Sequence, residues 1–124
     1  MPDPQATDAT HWPFEETLAS LPLPATAKWP DGVFDIEVFA RAGASLELFA
    51  PRGEDRQAPH AQDEFYIVVA GQAELHVRGA DGGMRMLPAR PGDALHVTAG
   101  VEHRFHAISA DFAAWVVFFP REPA

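Results

Sequence analysis

Eight short apolar runs, each closed by turn-forming residues, constrain this chain more than any other feature of its sequence. They cover residues 33–39, 45–50, 64–70, 73–78, 84–87, 94–97, 103–108 and 112–119. Several alternate apolar with polar, as in Glu74-Leu75-His76-Val77-Arg78, which is the pattern of a strand with one buried face. The breaks between runs are Ala70-Gly71, the stretch 79–83, Pro91-Gly92-Asp93 and Ala99-Gly100. Asp81-Gly82 between two alternating runs predicts a hairpin, because both residues tolerate the positive φ of a tight turn. Eight strands at this spacing predict an all-β sandwich or barrel. Ahead of them, Phe14, Leu18 and Leu21 recur at helical spacing with Glu15 and Glu16 near the start, where the helix dipole favours negative charge. The spacing predicts one short helix over 14–21, stopped by Pro22 and Pro24. Residues 1–13 read as a loose arm, and the segment 1–32 as an arm with a short helix that packs on the barrel or on a partner subunit. The barrel itself is expected over 33–124.

Composition narrows the function. With 47% hydrophobic residues in 124, the chain has the means to bury a core. It has no cysteine, so disulfides, thiolate metal sites and a cysteine nucleophile are excluded. A net charge of −9, with Lys28 the sole lysine, argues against nucleic acid, since duplex binding relies on Lys and Arg neutralising phosphates. No apolar run approaches the roughly 18–20 residues that cross a bilayer. The opening Pro2-Asp3-Pro4 does not read as a secretory signal, so the expected location is cytoplasmic.

Without cysteine, a transition-metal site must be built from imidazole and carboxylate. In an extended chain residues of equal parity share a face, which would let His60, Gln62 and Glu64 point the same way. His103 opens a later strand after the turn at Ala99-Gly100. Two imidazoles and one carboxylate converging inside a barrel would form a facial triad with open coordination positions, a set that suits Fe(II) best and also accepts Mn, Ni, Zn or Co.

These residues resemble the cupin family over roughly 39–119. The family's first motif runs His-x-His, three or four residues, Glu, six residues, Gly. Here His60 takes the second His, Glu64 follows after three residues, and Gly71 after six more. The second motif runs Gly, five residues, Pro-x-Gly, two residues, His, three residues, Asn; Gly92, Gly100 and His103 fall on it. The chain departs from the pattern at Ala58, where the first His would stand, at Thr98 for the Pro and at Ala107 for the Asn. The resemblance implies an antiparallel jelly-roll β-barrel with His60, Glu64 and His103 as metal ligands on its inner wall. It also favours a homodimer formed by sheet-on-sheet packing. Gln57 or Gln62 are candidates to supply a neutral oxygen for the missing imidazole.

By parity, Tyr66, Phe105 and Val97 are expected to line the pocket, and Val117, in a run apolar on both faces, is counted with them. His76, His96, His106 and Arg104 should face outward, and His11 belongs to the arm. The run 115–119 is apolar on both faces, so its outer face needs a cover, either the segment carrying Trp12, Phe14 and Trp29 or a second subunit. The expected function is a small metal-binding protein with one divalent ion, acting as an oxygenase or isomerase on a small oxygenated molecule. The alternative is a barrel that binds a small ligand and catalyses nothing. No dedicated acid or base stands out beyond the ligands themselves.

Overall fold

The structure, a computed structural model, describes residues 8–120. The first part of the expected arm and the last residues of the expected barrel segment, 1–7 and 121–124, lie outside the described residues. One helix, α1 (Phe14–Ala19), precedes eight strands: β1 (Asp35–Arg41), β2 (Ala44–Phe49), β3 (Asp63–Ala70), β4 (Ala73–Arg78), β5 (Met84–Ala89), β6 (Ala94–Val97), β7 (His103–His106) and β8 (Ala113–Phe119). They form two antiparallel sheets, ordered β1-β2-β8-β3-β6 and β5-β4-β7. The result is the all-β fold that the run pattern predicts, in the antiparallel jelly-roll form that the family resemblance implies.

Period-two alternation decides what each strand sends inward. On β3, Glu64, Tyr66 and Val68 are buried, whereas Phe65 and Ile67 are 42% and 40% exposed. On β7, His103 and Phe105 are buried while Arg104 and His106 face out. Leu95 and Val97 are buried on either side of exposed His96. With Leu75, Phe112, Val116 and Phe118 these side chains form one core between the sheets.

Three departures from the expected strands have local causes. Strand β7 stops at His106 because Ala107 turns to φ +51°, a left-handed conformation that no strand continues through. Val33 sits in an isolated bridge to Leu23, ahead of β1. Within β1 the register against β2 slips between Glu37 and Phe39. That bulge puts two residues opposite one and reverses the parity beyond it. Asp35 and Glu37 thus border the interior cavity, and Phe39 instead meets Trp12 edge-on at 5.6 Å. The hairpin at 79–83 forms as expected, with Gly82 at φ +84° and Asp81 Oδ1 accepting from Gly83 N at 2.8 Å.

Two glycines fix the loops that carry the site. Gly71, at φ +68°, turns β3 into β4 where a Cβ would lie 2.6 Å from Phe112 N; only glycine fits. Gly100, at φ +81°, donates its N–H to the His60 carbonyl at 2.7 Å, and Ala99 N donates to Asp63 Oδ1 at 2.7 Å. The β6–β7 turn is thereby stitched to the loop that carries His60.

Candidate metal centre

His60, Glu64 and His103 come from three places in the chain and meet at one point of the barrel wall. Glu64 is the first inward residue of β3, His103 the first of β7, and His60 hangs from the stitched loop. One donor atom from each lies within 4.8 Å of the other two. Glu64 and His103 are only 1% and 2% exposed. His60 borders the open cavity, its ring 5.6 Å from that of His103 and edge-on to Phe118 at 5.0 Å.

Hydrogen bonding determines what these atoms offer. His103 Nδ1 lies 2.8 Å from the Val101 carbonyl, which only accepts, so Nδ1 carries a proton. Its Nε2 then faces Glu64 Oε1 at 2.7 Å. That contact lacks hydrogen-bond alignment, and His103 Nε2 and both Glu64 oxygens are buried without a hydrogen-bond partner. A lone pair and a carboxylate this close need a positive charge between them, either a proton or a metal cation. Burial by itself would lower the His103 pKa. The Glu64 carboxylate and the Val101 carbonyl, helped by Asp55, outweigh it, and the net shift is upward from 6.5. The ion-pair contact and the orphaned donors are two views of one requirement, a cation at this spot. A site of two imidazoles and a carboxylate, deprived of other partners, fits a divalent metal.

The cavity beside the triad has a volume of about 840 Å³. Of the four expected lining residues, Tyr66 borders it. Phe105 and Val97 lie behind in the core, Phe105 against the Tyr66 ring at 4.9 Å and Val97 paired across from Glu64. Val117 is a correction. It pairs with Leu46 and Phe65 and points to the outer face, while Val116 and Phe118 line the cavity. A run apolar on both faces carries no parity signal, which is why the sequence misassigned it. Gln62 is a second correction. Strand β3 begins only at Asp63, so parity does not extend back to residue 62, and the Gln62 amide donates to the Gly43 carbonyl at 3.0 Å instead of joining the triad. The outward histidines fall as expected: His76 and His106 stack at 4.0 Å on the far sheet, and Arg104 Nε donates to the Gln57 carbonyl at 3.1 Å.

Two elements of the site escape sequence reasoning. The first is a carboxyl pair on the same five-stranded sheet as Glu64, separated from β3 by β8. Asp35 and Glu47 sit on β1 and β2, border the cavity and hydrogen-bond to each other. Burial, then the Asp35 charge, pushes Glu47 up to about 8, and burial raises Asp35 as well. The second is Asp55, 4% exposed, which accepts hydrogen bonds from Phe105 N at 2.8 Å and Gln57 Nε2 at 2.6 Å. Burial, reinforced by the Glu64 charge, holds the Tyr66 hydroxyl well above its ordinary range. It stays protonated and donates to Gln57 Oε1 at 3.1 Å.

Known proteins agree with this architecture. A cupin domain is matched over residues 45–119. An uncharacterized protein of Streptomyces coelicolor is 47% identical over 68 residues, which is 55% of this chain and 60% of that protein; the chain thus spans less than two thirds of that relative. A Ralstonia eutropha protein assigned provisionally as a mannose-6-phosphate isomerase superposes with TM-score 0.61 at 26% identity, covering 91% of this chain and all (100%) of that one. Bacillus subtilis oxalate decarboxylase, a protein with Mn(II) centres, superposes with TM-score 0.57 at 17% identity, over 66% of this chain and 22% of its own. The matched domain covers more than half of the chain and includes all three triad residues, and the protein belongs to the cupin family.

Proposed function

We propose that this cupin binds one divalent transition metal through His60, Glu64 and His103 and acts on a small oxygenated molecule admitted by the adjoining cavity. The observation that carries the reading is the buried, orphaned face-off of His103 Nε2 and Glu64 Oε1 at 2.7 Å. Leaving a buried charge without compensation costs several kcal/mol, and a cation removes that cost. When bound, the metal would supply Lewis-acid polarisation of a carbonyl or enolate oxygen and, if redox-active, the electrons that oxygenase chemistry needs. Among the available ions this donor set favours Fe(II).

The remaining roles belong to the chain's own residues. His103 Nε2 and Glu64 Oε1 would hold the ion between them, and Val101 fixes the His103 tautomer. Tyr66 and Phe118 keep one side of the cavity apolar. Elsewhere on the sheet that carries Glu64, Glu47 holds a proton near neutral pH beside Asp35, so the cavity contains a group able to give or take one during an isomerisation or decarboxylation.

Elemental analysis of untagged protein, followed by turnover assays on small hydroxy acids, diketones and catechols with O2 uptake recorded, tests the reading. Stoichiometric metal with turnover of one such class is expected. Stoichiometric metal with none would favour a non-catalytic ligand-binding barrel, and no metal after reconstitution would overturn the site. We also propose that a second copy of the chain covers the outer face of the five-stranded sheet around Phe65 and Ile67. A monomer by analytical ultracentrifugation would refute that. No helix among the described residues is long and apolar enough to cross a membrane.

A further inference from the structure

At position 58, where the family pattern places a further imidazole, this chain has alanine, and the neighbouring Gln57 is held in an unusually determined pose. Its backbone N donates to Asp55 Oδ1 at 3.0 Å and its side-chain Nε2 donates to Asp55 Oδ2 at 2.6 Å. A carboxylate only accepts, so the amide has one orientation. The nitrogen points to Asp55, and Oε1 is left pointing the other way. Asp55 in turn is buried and anchored to Phe105 N, two residues along β7 from His103. The pose of Gln57 is therefore referenced to the same strand that carries a triad imidazole.

Gln57 Oε1 accepts a hydrogen bond from the Tyr66 hydroxyl at 3.1 Å and stands 3.1 Å from His60 Nε2, a second hydrogen bond in the tautomer with the proton on Nε2 and two facing lone pairs in the tautomer with the proton on Nδ1. Donors at right angles around a cation, with bonds of roughly 2.0–2.2 Å, stand about 2.8–3.1 Å apart. The Oε1–Nε2 separation fits that edge, and the 2.7 Å between Glu64 Oε1 and His103 Nε2 is close to it. Gln62, the other amide near the cavity, is committed to the Gly43 carbonyl.

We propose that Gln57 Oε1 is a fourth ligand, taking the place of an imidazole at position 58, with Asp55 as the residue that positions it. The inference rests on the metal-binding reading of the triad. The amide oxygen is neutral, as an imidazole is, so the ligand set keeps the same charge and becomes harder. Carbonyl and carboxylate oxygens suit Mn(II), and imidazoles suit Zn(II) and Ni(II). The exchange tunes the site towards oxygen-preferring divalent ions.

Titrating metal-stripped protein with Mn(II), Zn(II) and Co(II) tests this, using calorimetry for affinity and the visible Co(II) spectrum for coordination. Gln57→Leu should weaken Mn(II) about tenfold or more and alter the Co(II) bands, while Gln62→Leu changes neither. Gln57→His should raise the preference for Zn(II) over Mn(II) about tenfold. Asp55→Asn should reproduce part of the Gln57→Leu effect on the Co(II) spectrum, because an amide at 55 no longer fixes which way the Gln57 oxygen points. If Gln57→Leu does not fold, Gln57→Asn, which keeps the amide but withdraws its oxygen by one methylene, decides on the same readouts. Wild type that binds Mn(II) and a folded Gln57→Leu with unchanged affinity and spectrum would overturn the fourth ligand and leave the triad standing. Wild type that binds none of the three ions would overturn both.

Discussion

Two carboxylate sites on the five-stranded sheet solve the same problem in opposite ways. On β3, Glu64 is buried against the His103 imidazole from the facing sheet, and the pair is built to take a positive charge. On β1 and β2, Glu47 is partly buried with Asp35, Glu37 and Glu64 as its charged neighbours, and it answers by keeping a proton up to about pH 8. A carboxylate becomes a cation site or a proton store according to whether nitrogen or oxygen stands across from it. One site is therefore expected to bind metal and the other to titrate.

The largest effect expected of any substitution is His103→Ala. It should abolish most metal binding, a loss of at least about a hundredfold for a residue that is itself a ligand, whereas His76→Ala on the far sheet should leave it intact. Equal retention in the two, measured by metal analysis of folded protein, would erase the difference between the two carboxylate sites. Removing the imidazole also strands Glu64 in the core at a cost of about 3–5 kcal/mol, so the apo variant should melt far below wild type.

Next comes the pH dependence of metal affinity. Metal must displace the second ring proton that His103 carries below its raised pKa. Affinity should fall by about tenfold per pH unit once the pH drops below that pKa. Calorimetry in buffers of different ionisation enthalpy should show proton release on binding there, and a pH-independent affinity would count against His103 as a ligand.

The Asp35–Glu47 site sharpens the contrast in the stripped protein. Glu47 rises from 4.5 to about 8 on folding, so between those values the native state binds a proton that the unfolded state has lost. Its contribution is present in full below 4.5 and disappears as the pH climbs through about 8. Glu47→Gln should flatten this decline and raise the melting temperature at pH 8 by several degrees, leaving metal affinity within about twofold. A pH profile indistinguishable from wild type would show that the carboxyl pair does not titrate as described.

The smallest effect belongs to Ala58→His. Position 58 borders the cavity, yet Gln57 already presents an oxygen there, so Zn(II) affinity should rise only a few-fold. A gain of a hundredfold would mean that the corner had lacked a donor.

The sequence disclosed different layers of this molecule unequally. Strand existence was legible because period-two alternation is local, and so were Glu64 and His103, each the first inward residue of a clean strand. Val117 was not, since its strand is apolar on both faces and only pairing with Leu46 and Phe65 sets its direction. The Asp35–Glu47 pair depends on strand register and on a bulge that no short-range pattern encodes. Gln57 was visible as a candidate oxygen, but what aims it is Asp55, whose anchor Phe105 lies 50 residues away. Contacts of that range are decided by the finished barrel.

The bond from Gly100 N to the His60 carbonyl involves main-chain atoms alone. Side-chain exchange at residue 60 therefore deletes a nitrogen donor without unfastening the two loops from one another. In this protein, chemistry and architecture are separable at residue 60: a His60→Ala variant that loses its ion loses it for want of an imidazole, while the frame around the gap keeps its shape.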